Sequence, residues 1–193
     1  MTRTTGKQRG AVLPVVAVIT LLALSSIAQV AHAASTVTTL TTPNPFVIGQ
    51  FGGSVAISGT TVVVGAPGEK VGIFGGAGNA YLFDATSGTL ISALTNPNPQ
   101  LGGDFGHSVA ISDTTVVVGA PGEKVGGNSG HGRVYLFDAT TGDPISTLTS
   151  PNPLGGSFGA SVGVFVDDVT VVVGAPLETA GTPPVPAGNA YVF

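Results

Sequence analysis

Short apolar runs separated by clusters of Gly, Pro, Asn, Asp and Ser fill the chain beyond about residue 50. Within one such stretch four runs follow one another, at Val55–Ser58, Thr61–Gly65, Ala80–Phe83 and Leu90–Leu94. The second run is nearly all valine, as expected of a strand that is covered on both faces. Tight turns with Ser, Asp, Thr and Gly join the first pair and the second pair, where Gly supplies positive φ. The pattern predicts four antiparallel β-strands and no helix in this region.

The same pattern occurs three times along the chain. Phe-Gly pairs begin at residues 51, 105 and 158, and Gly-Ala-Pro triplets begin at 65, 119 and 174. Residues 51–99 align with 105–153 without a gap, with 36 identities in 49 positions. Four strands per repeat of about 54 residues is the content of one β-propeller blade. We therefore predict an all-β fold of three four-stranded blades, at about 46–99, 100–153 and 154–193.

The two ends of the repeat array predict how it closes. Residues 36–42 align with the fourth strand of the later repeats, because Leu40 corresponds to Leu94 and Leu148. We predict that this N-terminal strand completes the last blade, which would cover an exposed edge. Propellers close with about four to eight blades. Three blades therefore predict a partial ring, for which a homodimer of six blades, a fragment of a larger protein and an open arc are the alternatives.

The first 33 residues form a separate segment. Basic residues among the first nine precede an apolar run from 11 to about 28, and Ala31-His32-Ala33 follows it. This order is typical of a secretory signal peptide, which we predict to be helical and to be cleaved after residue 33. The run also approaches the length of a membrane span, so a retained anchor is the alternative. We expect residues 34–193 to be secreted, periplasmic or at the cell surface.

Composition narrows the function classes. The chain of 193 residues has 30 Gly, 14 Pro and no Cys, and 8% of its residues are charged, with a net charge of −4. The absence of Cys excludes a disulfide framework, a thiolate metal site and a Cys nucleophile. The acidic balance argues against a nucleic-acid partner. Many of the Gly and Pro residues fall in phase with the repeats, so their abundance indicates turns rather than disorder.

Four short motifs carry a resemblance to a known family. Phe-Gly, Ser-Val-Ala-Ile-Ser, Val-Gly-Ala-Pro and Tyr-Leu-Phe at this spacing resemble the FG-GAP repeat, which builds the β-propeller of integrin α-subunits and of many bacterial secreted proteins. The resemblance covers about residues 36–193 and is greatest to the bacterial subtype with Gly-Ala-Pro-Gly-Glu. It implies extracellular recognition or adhesion, with a protein or a glycan as partner.

The resemblance also raises the question of calcium, which some members bind through Asp-x-Asp-x-Asp-Gly in the turn between the first two strands. The corresponding turns here are residues 58–60, 112–114 and 166–168, and each has two Asp at most. Calcium takes six to eight oxygen ligands, several of them carboxylates. We therefore expect no metal and no cofactor.

Two patterns could suggest catalysis. His107 and Ser108 follow Asp104, and residues 159–163 match the Gly-x-Ser-x-Gly pattern around Ser161. The second pattern needs a following helix, whereas a valine-rich strand follows here. The serine also recurs at position 54 without a histidine, which indicates a structural role. We predict no enzyme, and a hydrolase is the least favoured alternative.

Recurring apolar, Gly and Pro positions are predicted to be structural. The Phe residues and the tyrosines at 81, 135 and 191 pack between blades, the Gly residues permit close approach of backbones, and the Pro residues end the second strand of each repeat. These structural positions are Phe51, Gly65, Pro67, Phe105, Gly119, Pro121, Phe158, Gly174 and Pro176.

One end of the predicted blades has long loops. The connections at 67–78, 121–132 and 176–188 fall at the same end as those leading into each first strand, and the opposite turns are short. Function often lies in loops carried by a rigid scaffold, so we predict a binding face there. A purely structural role, with charges that serve solubility, is the alternative. The candidate residues are Glu69, Lys70, Glu123, Lys124, His131, Arg133 and Glu178.

Overall fold

Each repeat forms one antiparallel sheet whose first three strands follow chain order. The computed structural model describes residues 37–152, 154–165, 170–180 and 185–193, and the predicted signal peptide at 1–33 lies outside them. The first sheet contains β1 (Ser54–Ser58), β2 (Thr61–Ala66), β3 (Asn79–Asp84) and β4 (Leu90–Leu94). The second contains β5 (Ser108–Ser112), β6 (Thr115–Ala120), β7 (Arg133–Asp138) and β8 (Pro144–Thr149).

The third sheet is smaller. It contains β9 (Ser161–Val164), β10 (Val171–Ala175) and β13 (Asn189–Val192), in the order β13-β10-β9. A separate two-stranded sheet of β11 (Thr179–Ala180) and β12 (Val185–Pro186) lies within the connection from β10 to β13. The all-β prediction is confirmed, but within the described residues the third sheet has three strands rather than four. No helix in the described part of the chain is long and apolar enough to span a membrane.

The segment before the first sheet differs from its prediction. Residues 37–42 form no strand, and Leu40 packs against the first sheet instead of completing the third. The Thr38 methyl lies 2.5 Å from the position that a Cβ on Gly88 would take. The equivalent residue of β4, Ser92, makes the same approach to Gly142 of the second sheet. In both cases the segment in the fourth-strand position packs against the sheet that comes next in the chain. For residues 37–42 this is the first sheet and not the third.

The core lies between neighbouring sheets. Side chains alternate across a strand, so Val116 and Val118 of β6 point toward the first sheet while Val117 points toward the third. This alternation explains the continuous valine run, because both faces of the second sheet are buried. We call the face that points toward the next repeat the downstream face and the other the upstream face.

Two apolar clusters fill the joints between the sheets. The first joins the downstream face of the first sheet to the upstream face of the second, with Val63, Ala80, Leu82 and Leu94 against Phe105, Val116, Val118, Tyr135 and Phe137. The second joins the second sheet to the third, with Val117 and Val134 against Phe158, Val171 and Val173.

Small residues let the sheets approach closely at both joints. A Cβ on Gly65 would lie 2.0 Å from the carbonyl oxygen of Gly106, and the Ser54 hydroxyl donates to that same carbonyl at 2.8 Å. Gly119 and Ser108 repeat this arrangement with the Gly159 carbonyl, at 2.0 and 2.7 Å. These glycines and serines therefore lie where the backbones of neighbouring sheets approach each other closely. The three predicted prolines directly follow β2, β6 and β10, as expected.

Candidate functional site

The predicted binding residues do not share a surface. Glu69, Glu123 and Glu178 are fully buried, whereas Lys70 and Lys124 are exposed. His131 is also buried, where its ring covers Gly155, and Arg133 is half-buried in an ion pair. The prediction of one exposed charged face is wrong for the three glutamates, because their carboxylates turn inward to hydrogen-bond donors.

Glu123 shows the arrangement in full. Its Oε2 accepts hydrogen bonds from the Tyr135 hydroxyl at 2.7 Å, the Arg133 guanidinium at 2.9 Å and the Asn98 amide at 3.1 Å. Its Oε1 accepts from the Asn96 amide at 3.0 Å. The tyrosine and arginine come from β7 of the same repeat, and both asparagines come from the segment that follows β4. The carboxylate therefore joins two repeats through its two oxygens.

Glu69 repeats the arrangement one sheet earlier. Its Oε2 accepts from the Tyr81 hydroxyl at 2.5 Å, the Asn79 amide at 2.8 Å and the Asn44 amide at 3.3 Å. Its Oε1 accepts from the Thr42 hydroxyl at 2.6 Å. Asn79 stands where the second repeat has an arginine, so the same position supplies a donor with or without a charge.

Glu178 forms the third cluster. Its Oε2 accepts from the Tyr191 hydroxyl at 2.5 Å and the Asn189 amide at 2.9 Å, and its Oε1 accepts from the Ser150 hydroxyl. Asn152 donates to the Thr179 carbonyl at 3.2 Å, and its side chain also contributes to lowering the pKa of Glu178. We call these three sets, centred on Glu69, Glu123 and Glu178, the glutamate clusters.

The cluster around Glu178 favours the charged carboxylate, and the clusters that contain Tyr81 and Tyr135 favour the protonated phenol. Burial acts to raise the pKa of Glu178, but the hydrogen bonds from Ser150, Tyr191 and Asn189 outweigh it and hold that pKa below its ordinary value. Burial, with the hydrogen bond to the neighbouring carboxylate, raises the pKa of both Tyr81 and Tyr135. A buried carboxylate with this many donors fixes the loops around it.

Sequence reasoning missed the partners of the glutamates. The hydroxyl or amide residues at 42, 96 and 150 and the asparagines at 44, 98 and 152 recur in steps of 54, as the core positions do. The glutamates themselves recur in steps of 54 and 55. Polar residues that recur in phase with buried apolar ones were the available signal for a buried polar network.

Exposed apolar side chains occupy the loop end that the clusters support. Val47, Leu101 and Leu154 stand at one repeat position, each just before a residue with positive φ, and are 85%, 72% and 67% exposed. We call these three residues the loop tips. Other exposed apolar residues at this loop end are Phe46 and Ile48 in the segment before β1, and Ile73 and Leu177 in the connections that follow β2 and β10.

The loop tips border the two exposed lysines. The Gln100 side chain holds the backbone of Lys124, accepting from its N–H at 3.0 Å and donating to its carbonyl at 3.3 Å. In the first repeat Asn44 donates to the Lys70 carbonyl at 3.4 Å. The exposed part of the loop end is thus apolar with a positive contribution from Lys70 and Lys124.

The described residues of the patterns considered for catalysis and for metals lie in strands and in the turns and loops between them. Ser161 begins β9, so a strand and not a helix follows it. Burial raises the pKa of Asp104, and the nearby His107 opposes that shift. In the short turns of the described chain, Asp84 and Asp138 accept backbone N–H groups of the residues two and three positions later, which lowers their pKa values. The described residues contain no group of three His, Asp or Glu side chains suited to a metal ion.

The comparison with protein-family models agrees with the repeats. Residues 41–83 and 89–137 match the family model described as the FG-GAP repeat. No curated protein matches the chain. Among solved structures, the β-propeller domain of Cps50 (Swd1) from Myceliophteria thermophila is similar, with 10% identity and a TM-score of 0.43 over 69% of this chain. The match covers 35% of that domain, so this chain spans about a third of its length.

Proposed function

Because this chain belongs to the FG-GAP repeat family, we propose that it is a non-catalytic recognition or adhesion protein that works outside the cytoplasm and binds a partner protein through its loop tips. The observation that carries the proposal is the exposure of Val47, Leu101 and Leu154 at one position of every repeat. The predicted signal peptide supports the compartment.

Packing gives no reason for these three side chains to be apolar. An apolar side chain at the surface gains nothing for folding, and groups of them in a soluble protein mark sites of interaction. The three loop tips share one end of the sheets, on loops whose bases are tied by the glutamate clusters. Rigid loops lose little conformational entropy on binding, so the same contacts give a higher affinity.

The residue types favour a protein over a glycan. Val47, Leu101 and Leu154 are aliphatic, and of the other exposed apolar residues named at this end Phe46 alone offers an aromatic face on which a sugar ring could stack. The cores of protein interfaces are apolar and poor in charged groups, with polar residues at the rim. Lys70 and Lys124 are exposed at the loop end, where Asp104 is partly exposed, and the acidic side chains Asp84, Asp113, Asp138 and Asp143 lie at the opposite end. The favoured partner therefore has an apolar surface bordered by acidic groups.

A displayed peptide library tests the proposal without a known partner. Peptides selected on the purified protein are measured by fluorescence anisotropy against a variant with Val47→Ser, Leu101→Ser and Leu154→Ser. We expect apolar peptides with acidic flanks, and at least a tenfold loss of affinity in the variant. The matched control is Ile91→Ser with Ile145→Ser, which removes exposed apolar side chains from β4 and β8 instead.

Three outcomes would contradict the proposal. Peptides that bind the loop variant as well as the original protein would place recognition elsewhere. Binding to a glycan array, with no peptide selected, would favour the glycan alternative. The absence of any ligand in both screens would favour a purely structural repeat segment.

Secretion has its own test, because mass spectrometry of the exported protein should find Ala34 at the N-terminus.

A further inference from the structure

Two joints connect the three sheets of the chain. The two kinds of face that form such a joint also occur once each without a partner, as the upstream face of the first sheet and the downstream face of the third. At the two internal joints a downstream face meets an upstream face. Val63 and Val117, at one repeat position on the downstream faces, are 0% exposed, whereas the equivalent Val172 of the third sheet is 43% exposed. Val192 is 72% exposed where Leu82 of the first sheet is 0% exposed. The downstream face of the third sheet is therefore an unfilled copy of a known joint.

The downstream face of the third sheet contains a cavity whose lining indicates which group would fill it. It has a volume of about 470 Å³ and is lined by Ser161, Gly174, Gly188 and Asn189, among others. At the first joint the equivalent space holds a Phe-Gly pair, since a Cβ on Gly78 would lie 2.0 Å from the Phe105 carbonyl oxygen.

The second joint fills the same space in the same way. A Cβ on Gly132 would lie 2.0 Å from the Phe158 carbonyl oxygen. The backbone N–H of Phe158 donates to the His131 carbonyl at 3.0 Å, as the N–H of Phe105 does to the Ala77 carbonyl at 3.0 Å. In the third sheet Ala187 occupies the place of that acceptor. The shape and the hydrogen-bonding groups of the cavity both fit the backbone of one more Phe-Gly pair.

The first sheet carries an unused Phe-Gly pair on its open upstream face. Gly52 is exposed, whereas Gly106 and Gly159 are buried at the joints. Its φ of 87° equals that of Gly106 and is within a few degrees of that of Gly159. Val55 and Ile57 of β1 are 65% and 63% exposed, although their equivalents in β5 and β9 pack into the joints. The upstream face thus already has the conformation that the joint requires.

We propose that the downstream face of the third sheet binds the upstream face of the first sheet of a second copy of this chain. The Ser161 hydroxyl then donates to the Gly52 carbonyl of that copy, as Ser54 and Ser108 donate at the internal joints. This contact is head-to-tail, and a head-to-tail contact that closes gives a ring. Two copies contribute six sheets, which is within the range of closed propellers.

The same contact gives residues 38–42 a role. They lie against the first sheet as β4 lies against the second, with Leu40 and Leu94 in equivalent places. The binding of the first sheet of one copy to the third sheet of another therefore brings this segment beside the free edge of β13. It supplies the fourth-strand position that the third sheet lacks among the described residues, and it covers an exposed strand edge.

Sedimentation equilibrium of the purified protein tests the proposal with three single variants. We expect a mass of two copies for the unchanged protein and of one copy for Ile57→Lys, which places a charge in the new joint. Ile145→Lys is the matched control, because Ile145 of β8 is 57% exposed and belongs to neither open face. It should retain two copies.

Gly174→Ala blocks the other half of the joint. A Cβ there meets only the Ser161 side chain closely, at 2.3 Å from its hydroxyl, which can rotate away. In the dimer it would strike the Gly52 carbonyl, as the 2.0 Å distances at Gly65 and Gly119 show. We expect Gly174→Ala to fold normally by circular dichroism and to sediment as one copy.

A mixture of the two defective variants separates this joint from general surface damage. Ile57→Lys keeps an intact downstream face and Gly174→Ala keeps an intact upstream face, so the mixture should recover pairs joined once. Single copies of the unchanged protein at its highest soluble concentration would overturn the proposal. Two copies in both variants, or a ladder of larger species in place of pairs, would overturn it as well.

Discussion

The second and third sheets share the sequence of their second strand but differ in what covers them. Thr-Val-Val-Val-Gly-Ala occurs in both, yet β6 is buried throughout, whereas the side chains of β10 alternate between buried and more exposed. The second sheet lies between two neighbours and the third has a neighbour only on its upstream face. In an array of repeats, stability is the sum of what each repeat contributes and what each joint contributes. Equivalent substitutions in the two sheets therefore measure the joint by itself.

The largest difference is expected at the glutamate clusters. Glu123→Ala removes the carboxylate that accepts from the Arg133 guanidinium, the Tyr135 hydroxyl and two amides, and breaking a buried pair in this way costs about 3–5 kcal/mol. Glu178→Ala should cost less, because its cluster holds three donors and no cation. Urea unfolding followed by circular dichroism gives both values.

The neighbouring lysine is the control for this pair. Lys124→Ala removes an exposed charge one residue away and should change the free energy of unfolding by at most about 0.5 kcal/mol. Equal losses in Glu123→Ala and Lys124→Ala would mean that the hydrogen bonds to the carboxylate do not hold the joint together.

The second difference is expected at the glycines of the joints. Gly119→Ala forces a Cβ to within 2.0 Å of the Gly159 carbonyl oxygen, a backbone atom that cannot move alone. Overpacking of this kind costs about 1–3 kcal/mol. Gly174→Ala meets only a serine hydroxyl closely and should cost less than about 0.5 kcal/mol when it is measured in the Ile57→Lys background, where the downstream face of the third sheet stays open. Thermal unfolding of both variants measures the contrast, and a loss in Gly174→Ala as large as in Gly119→Ala would contradict it.

A third, smaller difference is expected at the valines. Val117→Ala removes two buried carbon groups at the second joint, and at about 0.8 kcal/mol each the loss is about 1.5 kcal/mol. Val172→Ala should stay within about 0.5 kcal/mol, measured in the Ile57→Lys background so that the downstream face remains open. If the cost of Val172→Ala grows with protein concentration only when Ile57 is intact, the second copy covers this valine.

The same comparison shows how much the sequence could predict. The strands are encoded locally by valine runs and by turns with Asp, Thr and Gly, so β1–β4 were predicted to within one residue at each end. The exposure of Val172 could not be read in this way, because Val117 stands in an identical sequence. It depends on a neighbouring sheet, and no local pattern encodes the neighbour.

The prediction that the glutamates are exposed was wrong for a related reason. A carboxylate in a Gly- and Pro-rich loop is normally exposed, and Glu69 is buried only because donors 10 to 27 residues away converge on it. The sequence shows that Asn44 and Glu69 recur at one period, but it does not show that they touch. The loop tips were missed because apolar residues in loops were not considered as a binding surface.

The smallest difference is expected at the tyrosines and depends on pH. Burial and the nearby Glu123 carboxylate raise the pKa of Tyr135, so the folded state favours the protonated phenol. That stabilisation is complete below the ordinary tyrosine pKa of about 10 and is lost as the pH rises above it. Tyr135→Phe should cost about 1 kcal/mol at neutral pH, the value of one hydrogen bond, and should weaken the loss of stability between about pH 9 and 11. Tyr191→Phe is the comparison, because burial and the hydrogen bond to Glu178 also raise the pKa of Tyr191, so this variant should weaken the alkaline loss in the same direction while Tyr135 stays in place. Urea unfolding at a series of pH values measures both variants, and an unchanged alkaline slope in Tyr135→Phe would show that the phenol is not held protonated by its cluster.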